Sequence, residues 1–154
     1  MTIFQSEKQI VMNFYRRLDA VPSEQIGTVL QSTVRDDYLW FGFHPFNKIR
    51  GGEAVAACFW IPLKAALTSM QRRMDIFFAG KNRLEGDDSV WVVSMGHLMG
   101  LFDKAWLGIQ PTGKIMNYNN QSISMSDKYL KKPSIPRPNL LDKILFRISP
   151  SKFF

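Results

Sequence analysis

The sequence predicts an α+β fold in which a curved antiparallel sheet wraps around three helices to form a cone. Three observations carry that expectation. Apolar residues recur at helical spacing up to Ser69 and at alternate positions after it, so helices and strands are segregated along the chain. The longest alternating stretch contains Gly96 and Gly100, which mark a bulge or sharp bend in a strand. The length, 154 residues, suits a single domain spanning 1–154.

The elements follow in order. Ile3, Phe4, Ile10, Val11, Phe14 and Leu18 form one apolar stripe of a first helix. Pro22 and Ser23 are start signals for a second, with Ile26, Val29, Leu30 and Val34 on its face and Asp36–Asp37 at its end. Residues 38–46 (YLWFGFHPF) read as an aromatic strand that stops at Pro45. Gly51–Gly52 opens a third helix over 53–69. Pro62 should kink it, because proline lacks the backbone donor and crowds the carbonyl four residues back. Residues 71–79 and 90–102 are strands joined through 86–88, and 114–126 and 129–135 are weaker strands with a hairpin at 127–128. Asn139 caps a short last helix bearing Leu140, Leu141, Ile144, Leu145 and Ile148. The sheet should hold four to six strands, with 38–46 among them.

Composition narrows the function classes. The formal charge is +7, but residues 1–112 contribute only +1 and residues 113–154 contribute +6. That basic stretch shows no nucleic-acid motif and reads as a solvated face, so no specific nucleic acid is expected as a partner. The longest apolar run, residues 54–63, is far short of the roughly 20 needed to span a bilayer, and the N-terminus lacks an apolar leader. No membrane partner is expected. A single cysteine, Cys58, cannot form an internal disulfide, which fits a cytoplasmic protein.

Three blocks then stand out: His44-Pro45-Phe46-Asn47, Gly96-His97-Leu98-Met99-Gly100, and Trp106-Leu107-Gly108-Ile109-Gln110-Pro111-Thr112-Gly113. With Phe59-Trp60-Ile61-Pro62-Leu63 and Arg72-Arg73-Met74-Asp75-Ile76-Phe77, they resemble the SnoaL-like polyketide cyclases of the nuclear transport factor 2-like superfamily. The likeness covers 1–114, best from about Ile10, and is poor over 115–154, which would hold the diverged last strands and short helix. It implies a cofactor-independent enzyme acting on a carbonyl-bearing apolar substrate, as an aldol-type cyclase, isomerase or hydrolyase. Such chemistry needs one positioned acid or base and donors aimed at the developing oxyanion. The resemblance also implies a His on the Gly-His strand, matched by His97, and a carboxylate on the next strand. That acidic position falls near Gln121, and no Asp or Glu lies between Asp103 and Asp127. An amide binds a carbonyl but takes no proton at neutral pH.

Alternation places His97 on one face with Trp91, Val93, Met95, Met99 and Leu101, either core or pocket wall, and Val90, Val92 and Leu98 on the other, outer face. Imidazole is the side chain suited to proton exchange near neutrality. Asp75, which should share a face with Arg73 and Phe77, is the remaining acid: it is catalytic, or it pairs with Arg73 or a neighbour. Trp40, Trp60, Trp91 and Trp106 line an aromatic cavity or serve as ordinary core, Met95 and Gln121 join the ligand contacts, and His44 touches ligand or caps a turn. His44, His97 and Cys58 lack the short ligand spacings of a metal site, so no metal is expected. Two other readings remain: a binding protein without turnover, and an interaction module. The apolar outer sheet face favours a homodimer.

Overall fold

The structure, a computed structural model, describes residues 3–42, 44–81 and 89–126, with 119–126 described as backbone only. The described residues form the expected α+β arrangement of helices followed by a long antiparallel sheet. The strand 129–135, the turns at 86–88 and 127–128, and the helix at Asn139 lie outside the described residues.

Helix α1 (Gln5–Ala20) buries Val11, Phe14, Tyr15 and Leu18, the stripe its spacing requires. A 3-10 turn (Ser23–Gln25) leads into α2 (Ile26–Thr33), whose Ile26, Val29 and Leu30 close on α1. Arg17 ties the two helices together through Thr33 Oγ1 (3.2 Å) and Ser32 Oγ (2.7 Å). Lys64 Nζ donates to the carbonyls of Leu18 (2.8 Å), Asp19 (2.9 Å) and Val21, satisfying acceptors that the end of α1 leaves open.

The third helical segment is continuous over 52–66 but not uniform. It runs as α3 (Gly52–Val55), a π turn (Ala56–Trp60) and α4 (Ile61–Ala66). The π turn is the response to Pro62. The amide of Ile61 reaches Ala56 O, one residue further back than α geometry, just ahead of the proline that cannot donate. The segment stops at Ala66, short of residue 69, because β3 already begins at Leu67.

The aromatic segment 38–46 is also corrected. Only Leu39–Phe41 (β1) is strand, and it pairs with Lys48–Arg50 (β2), a strand missing from the sequence-based reading. This two-stranded hairpin is separate from the large sheet, so β1 is not one of the large sheet's strands. That sheet is an antiparallel meander of β3 (Leu67–Lys81), β4 (Val90–Phe102) and β5 (Ile115–Ser126). Its inner face and the helices enclose one core that includes Leu18, Leu30, Trp40, Phe59, Leu63 and Leu98.

Candidate functional site

The two glycines of the Gly96–Gly100 block each face an irregularity in β3. The register slips between Met74 and Ile76 on β3 and between Ser94 and Gly96 on β4, so two bulges lie side by side. A Cβ on Gly96 would sit 2.0 Å from Arg73 O, a backbone atom that cannot swing away. A Cβ on Gly100 would come within 3.0 Å of Leu67 Cβ, opposite the second slip between Thr68 and Gln71. The motif is thus first a device for bending the sheet.

The bends decide which residues meet. Along β4 the even positions Val90, Val92, Ser94, Leu98 and Phe102 are buried, and the odd positions Trp91, Val93, Met95, His97 and Met99 are half-buried. This reverses the expected faces: Val90, Val92 and Leu98 point into the core, and His97 sits on the outer face of the sheet. On β3 the bulge at Asp75 shifts the alternation, so that Asp75 stays outward beside Arg73 while Phe77 packs against the core.

His97 and Asp75, expected separately, come together there. Across β3 and β4, Arg73 pairs with His97 in register. Asp75 Oδ2 lies 3.3 Å from His97 Nε2, and its Oδ1 accepts from Arg73 Nε at 2.7 Å. Asp75 therefore makes the ion pair with Arg73 that one of its two readings expected, and it also neighbours the imidazole. The His97 side chain is 26% exposed, yet its Nδ1 is shielded from solvent and has no hydrogen-bond partner among the described residues.

A narrow cleft lies at the bulged part of the sheet. Its lining includes Tyr15, Arg72, Ser94, Met95, Gly96 and His97, and its volume is about 10 Å³. The inner side of the cleft is polar as well. Tyr15 Oη and Ser94 Oγ are 2.7 Å apart and buried. Arg72, with its side chain 8% exposed, holds both Asp19 oxygens (2.8 and 2.9 Å) and stacks over the Tyr15 ring at 4.4 Å. Burial pushes the Tyr15 hydroxyl up from its ordinary pKa, against the opposing pull of Arg72 and Ser94. Sequence reasoning overlooked Tyr15, Ser94 and the Arg72–Asp19 pair. The available signal was Arg72 itself: alternation turns it inward, and an inward guanidinium needs a buried anion.

The other expected contacts fall elsewhere. Trp40, Trp60 and Trp106 are buried in the interior, where Trp40 and Phe59 lie 4.8 Å apart, Phe59 and Trp60 5.0 Å, and Trp106 and Tyr118 6.1 Å. None of them lines the cleft beside His97. Trp91 is on the outer face with His97, its indole N–H donating to Ser89 Oγ at 3.2 Å. His44 is exposed in the turn between β1 and β2. Gln121 lies on β5 within the slip opposite Met95, and the residue directly across from His97 is Asn119. The side chains of both fall outside the described residues. Among the described residues no group of three metal-binding side chains occurs, and no helix is long and apolar enough to cross a membrane.

Comparison with known proteins places this geometry on a recognised fold. The crystal structure of a "Putative SnoaL-like polyketide cyclase" from Jannaschia sp. CCS1 superposes with a TM-score of 0.52. The alignment covers 83% of this chain and 90% of that one at 18% sequence identity. The chain thus shares the nuclear transport factor 2-like α+β fold of that protein. No protein-family model matches the sequence, and neither does any curated protein.

Proposed function

We propose that this chain is a cofactor-independent enzyme of the SnoaL-like polyketide cyclase type, moving a proton next to the carbonyl of a largely apolar small molecule. One observation carries the reading: the contact between Asp75 Oδ2 and His97 Nε2 beside a small cleft that His97 helps to line. An ionised carboxylate only accepts hydrogen bonds, so the hydrogen between them belongs to Nε2 and the lone pair of neutral His97 is on Nδ1. His97 is the acid or base, and Asp75 orients the ring and stabilises its cation, a pairing that recurs wherever imidazole takes a proton. Arg73 anchors Asp75 from the other side. Met95, Ile76, Val93 and Phe78, paired across β3 and β4 beside the dyad, offer an apolar floor for the ligand.

The test is turnover of aldol-prone diketones by the wild type and by His97→Ala. The variant should lose activity while binding the same compound within about tenfold, because one neutral hydrogen bond contributes about 0.5–1.5 kcal/mol. Full activity in His97→Ala would overturn the reading.

A second reading, a binding protein without turnover, is favoured by the cleft volume of about 10 Å³, too small for an organic substrate unless the site opens. The same outer face also suits a competing occupant, a second copy of the chain. Ile76 and Phe78 are 47% and 52% exposed at one end of it, and Leu101 and Ile115 are 38% and 78% exposed at the other. A two-fold axis lying in this face brings Arg73 of one copy toward Asp75 of the other, a self-complementary charge pattern. Three strands of such length present about 600 Å² before side-chain relief, near the ~800 Å² per partner of a standard interface. Ile76→Glu should leave a folded monomer in sedimentation, and a wild type that is monomeric at micromolar concentration would remove the proposal. The lone cysteine supports a reducing, cytoplasmic setting.

A further inference from the structure

Proton abstraction next to a carbonyl leaves negative charge on the carbonyl oxygen, and a site for it needs a donor aimed at that oxygen. The Asp75–His97 pair supplies none, because the Nε2 hydrogen faces Asp75 and a carboxylate only accepts. Arg73, beside them, has donors to spare. It lines the same cleft as His97 and Met95, and it stands directly across from His97 in the β3–β4 register. A guanidinium carries five N–H donors. Among the described residues the Arg73 side chain bonds only Asp75, through Nε at 2.7 Å. That bond holds the base of the fork and leaves its outer edge, Nη1 with Nη2, for another pair of oxygens.

We propose that Arg73 is the oxyanion-binding residue of this site, and that it selects apolar molecules ending in a planar pair of oxygens, a carboxylate or a carboxylate-like enolate. Two coplanar oxygens match the fork through parallel, charge-assisted hydrogen bonds. The apolar body of the ligand lies over the rungs Ile76–Met95 and Phe78–Val93. The nearer of these is two residues along β4 from His97, about 7 Å, which is the length of one ring between body and head. Asp75 does not cancel the preference. Its Oδ1 is held by Arg73 and its Oδ2 faces His97, while the ligand takes the far edge of the guanidinium. The Arg73 side chain is 66% exposed, so water screens the contact and the preference for an anion should be about tenfold.

The place of Arg73 in turnover rests on the enzyme reading given above. There, the C–H bond of the substrate breaks, its proton passes to the imidazole, and its electron pair moves onto the carbonyl oxygen. Arg73 stabilises that charge without giving up a proton. Binding of a carboxylate requires none of these steps.

Two measurements on the full-length protein test the role. In the first, phenylacetate and phenylacetamide, one body with a charged and a neutral head, are titrated at low salt and followed by nitrogen–proton resonances of the Arg73 side chain. The wild type should bind the carboxylate about tenfold more tightly than the amide. Arg73→Lys, which keeps the charge but not the fork, should lose most of that preference, and Arg73→Gln all of it. No binding of phenylacetate, equal affinity for the two heads, or a preference that survives in folded Arg73→Gln would each overturn the inference. In the second, Arg73→Gln should lower kcat on a diketone by about 10²-fold, and added methylguanidinium should restore part of it, which a merely structural loss would not allow. The two proposals fail separately. Anion selectivity in a protein that turns over no diketone keeps the binding role and removes the enzyme, whereas turnover indifferent to Arg73 keeps the enzyme and removes the role.

Discussion

The two faces of β4 differ less in hydrophobicity than in what lies across from them. The inner face carries Val90, Val92, Ser94, Leu98 and Phe102, and the outer face carries Trp91, Val93, Met95, His97, Met99 and Leu101. Both are rich in large apolar side chains, so alternation separates the faces without saying which is inside. The partner strand carries the distinction. Met99 and His97 pair with Gln71 and Arg73, polar residues that a core would not accept, whereas Phe102 pairs with Leu67. A strand's orientation is a property of its ladder, and pairing is a tertiary fact that one strand's sequence does not contain.

The same comparison explains what was legible in advance. The α+β class and the helix stripes followed from periodicity, because Val11, Phe14, Leu18 and Leu30 have only one way to be buried together. Gly96 and Gly100 announced a bend correctly. What escaped was every consequence of register: the β1–β2 hairpin, the bulge that separates Asp75 from Phe77, and the meeting of Asp75 with His97. The tryptophans were ambiguous for a similar reason, since an indole that lines a cavity and one that fills a core look identical in sequence.

The sharpest way to break the face assignment is to truncate one aromatic residue on each side of the sheet. Trp40 is 1% exposed among Phe46 and Phe59, and Trp40→Ala should cost about 3–5 kcal/mol in denaturant unfolding. Phe78 is 52% exposed on the outer face, and Phe78→Ala in the monomer should cost about 0.5 kcal/mol or less. Equal losses would mean that inside and outside are assigned wrongly.

Glycine substitution separates the bulged part of the sheet from its regular end. Gly96→Ala forces a methyl group against the Arg73 carbonyl and should cost about 1–3 kcal/mol. Nothing lies within 4 Å of a Cβ on Gly80, so Gly80→Ala should be neutral or stabilising by about 0.4–1 kcal/mol. Thermal melts should therefore fall for Gly96→Ala and hold or rise for Gly80→Ala.

Alkali probes the inner side as a whole. Tyr15, Tyr38 and Tyr118 all have pKa values raised above that of an ordinary tyrosine, chiefly by burial. A raised folded-state value means the fold prefers the protonated phenol. Its contribution is complete below the unfolded pKa near 10 and is lost as pH rises through the folded values. Stability should thus fall above about pH 10, with phenolate absorbance of these three rings appearing only with unfolding. Ionisation of all three in a still-folded protein would contradict their burial.

The smallest change in stability should come from the outer cluster, which is why it separates structure from chemistry. Asp75 is 33% exposed and Arg73 66%, so their ion pair is screened by solvent and Asp75→Asn should alter unfolding by no more than about 1 kcal/mol. The substitution keeps the shape of the side chain but adds N–H donors and removes the charge. Asparagine can offer Nδ2 as readily as Oδ1 to His97 Nε2, so the ring hydrogen is no longer held on that nitrogen. Nδ1 then spends part of its time protonated and unable to accept, and the imidazolium loses its counter-charge. If the dyad is the base, kcat should drop by about 10²–10⁴-fold with KM little changed, because the loss falls on the proton-transfer step. A variant that folds, binds and turns over like the wild type would reduce Asp75–His97 to a surface contact, and the binding-protein reading would take its place.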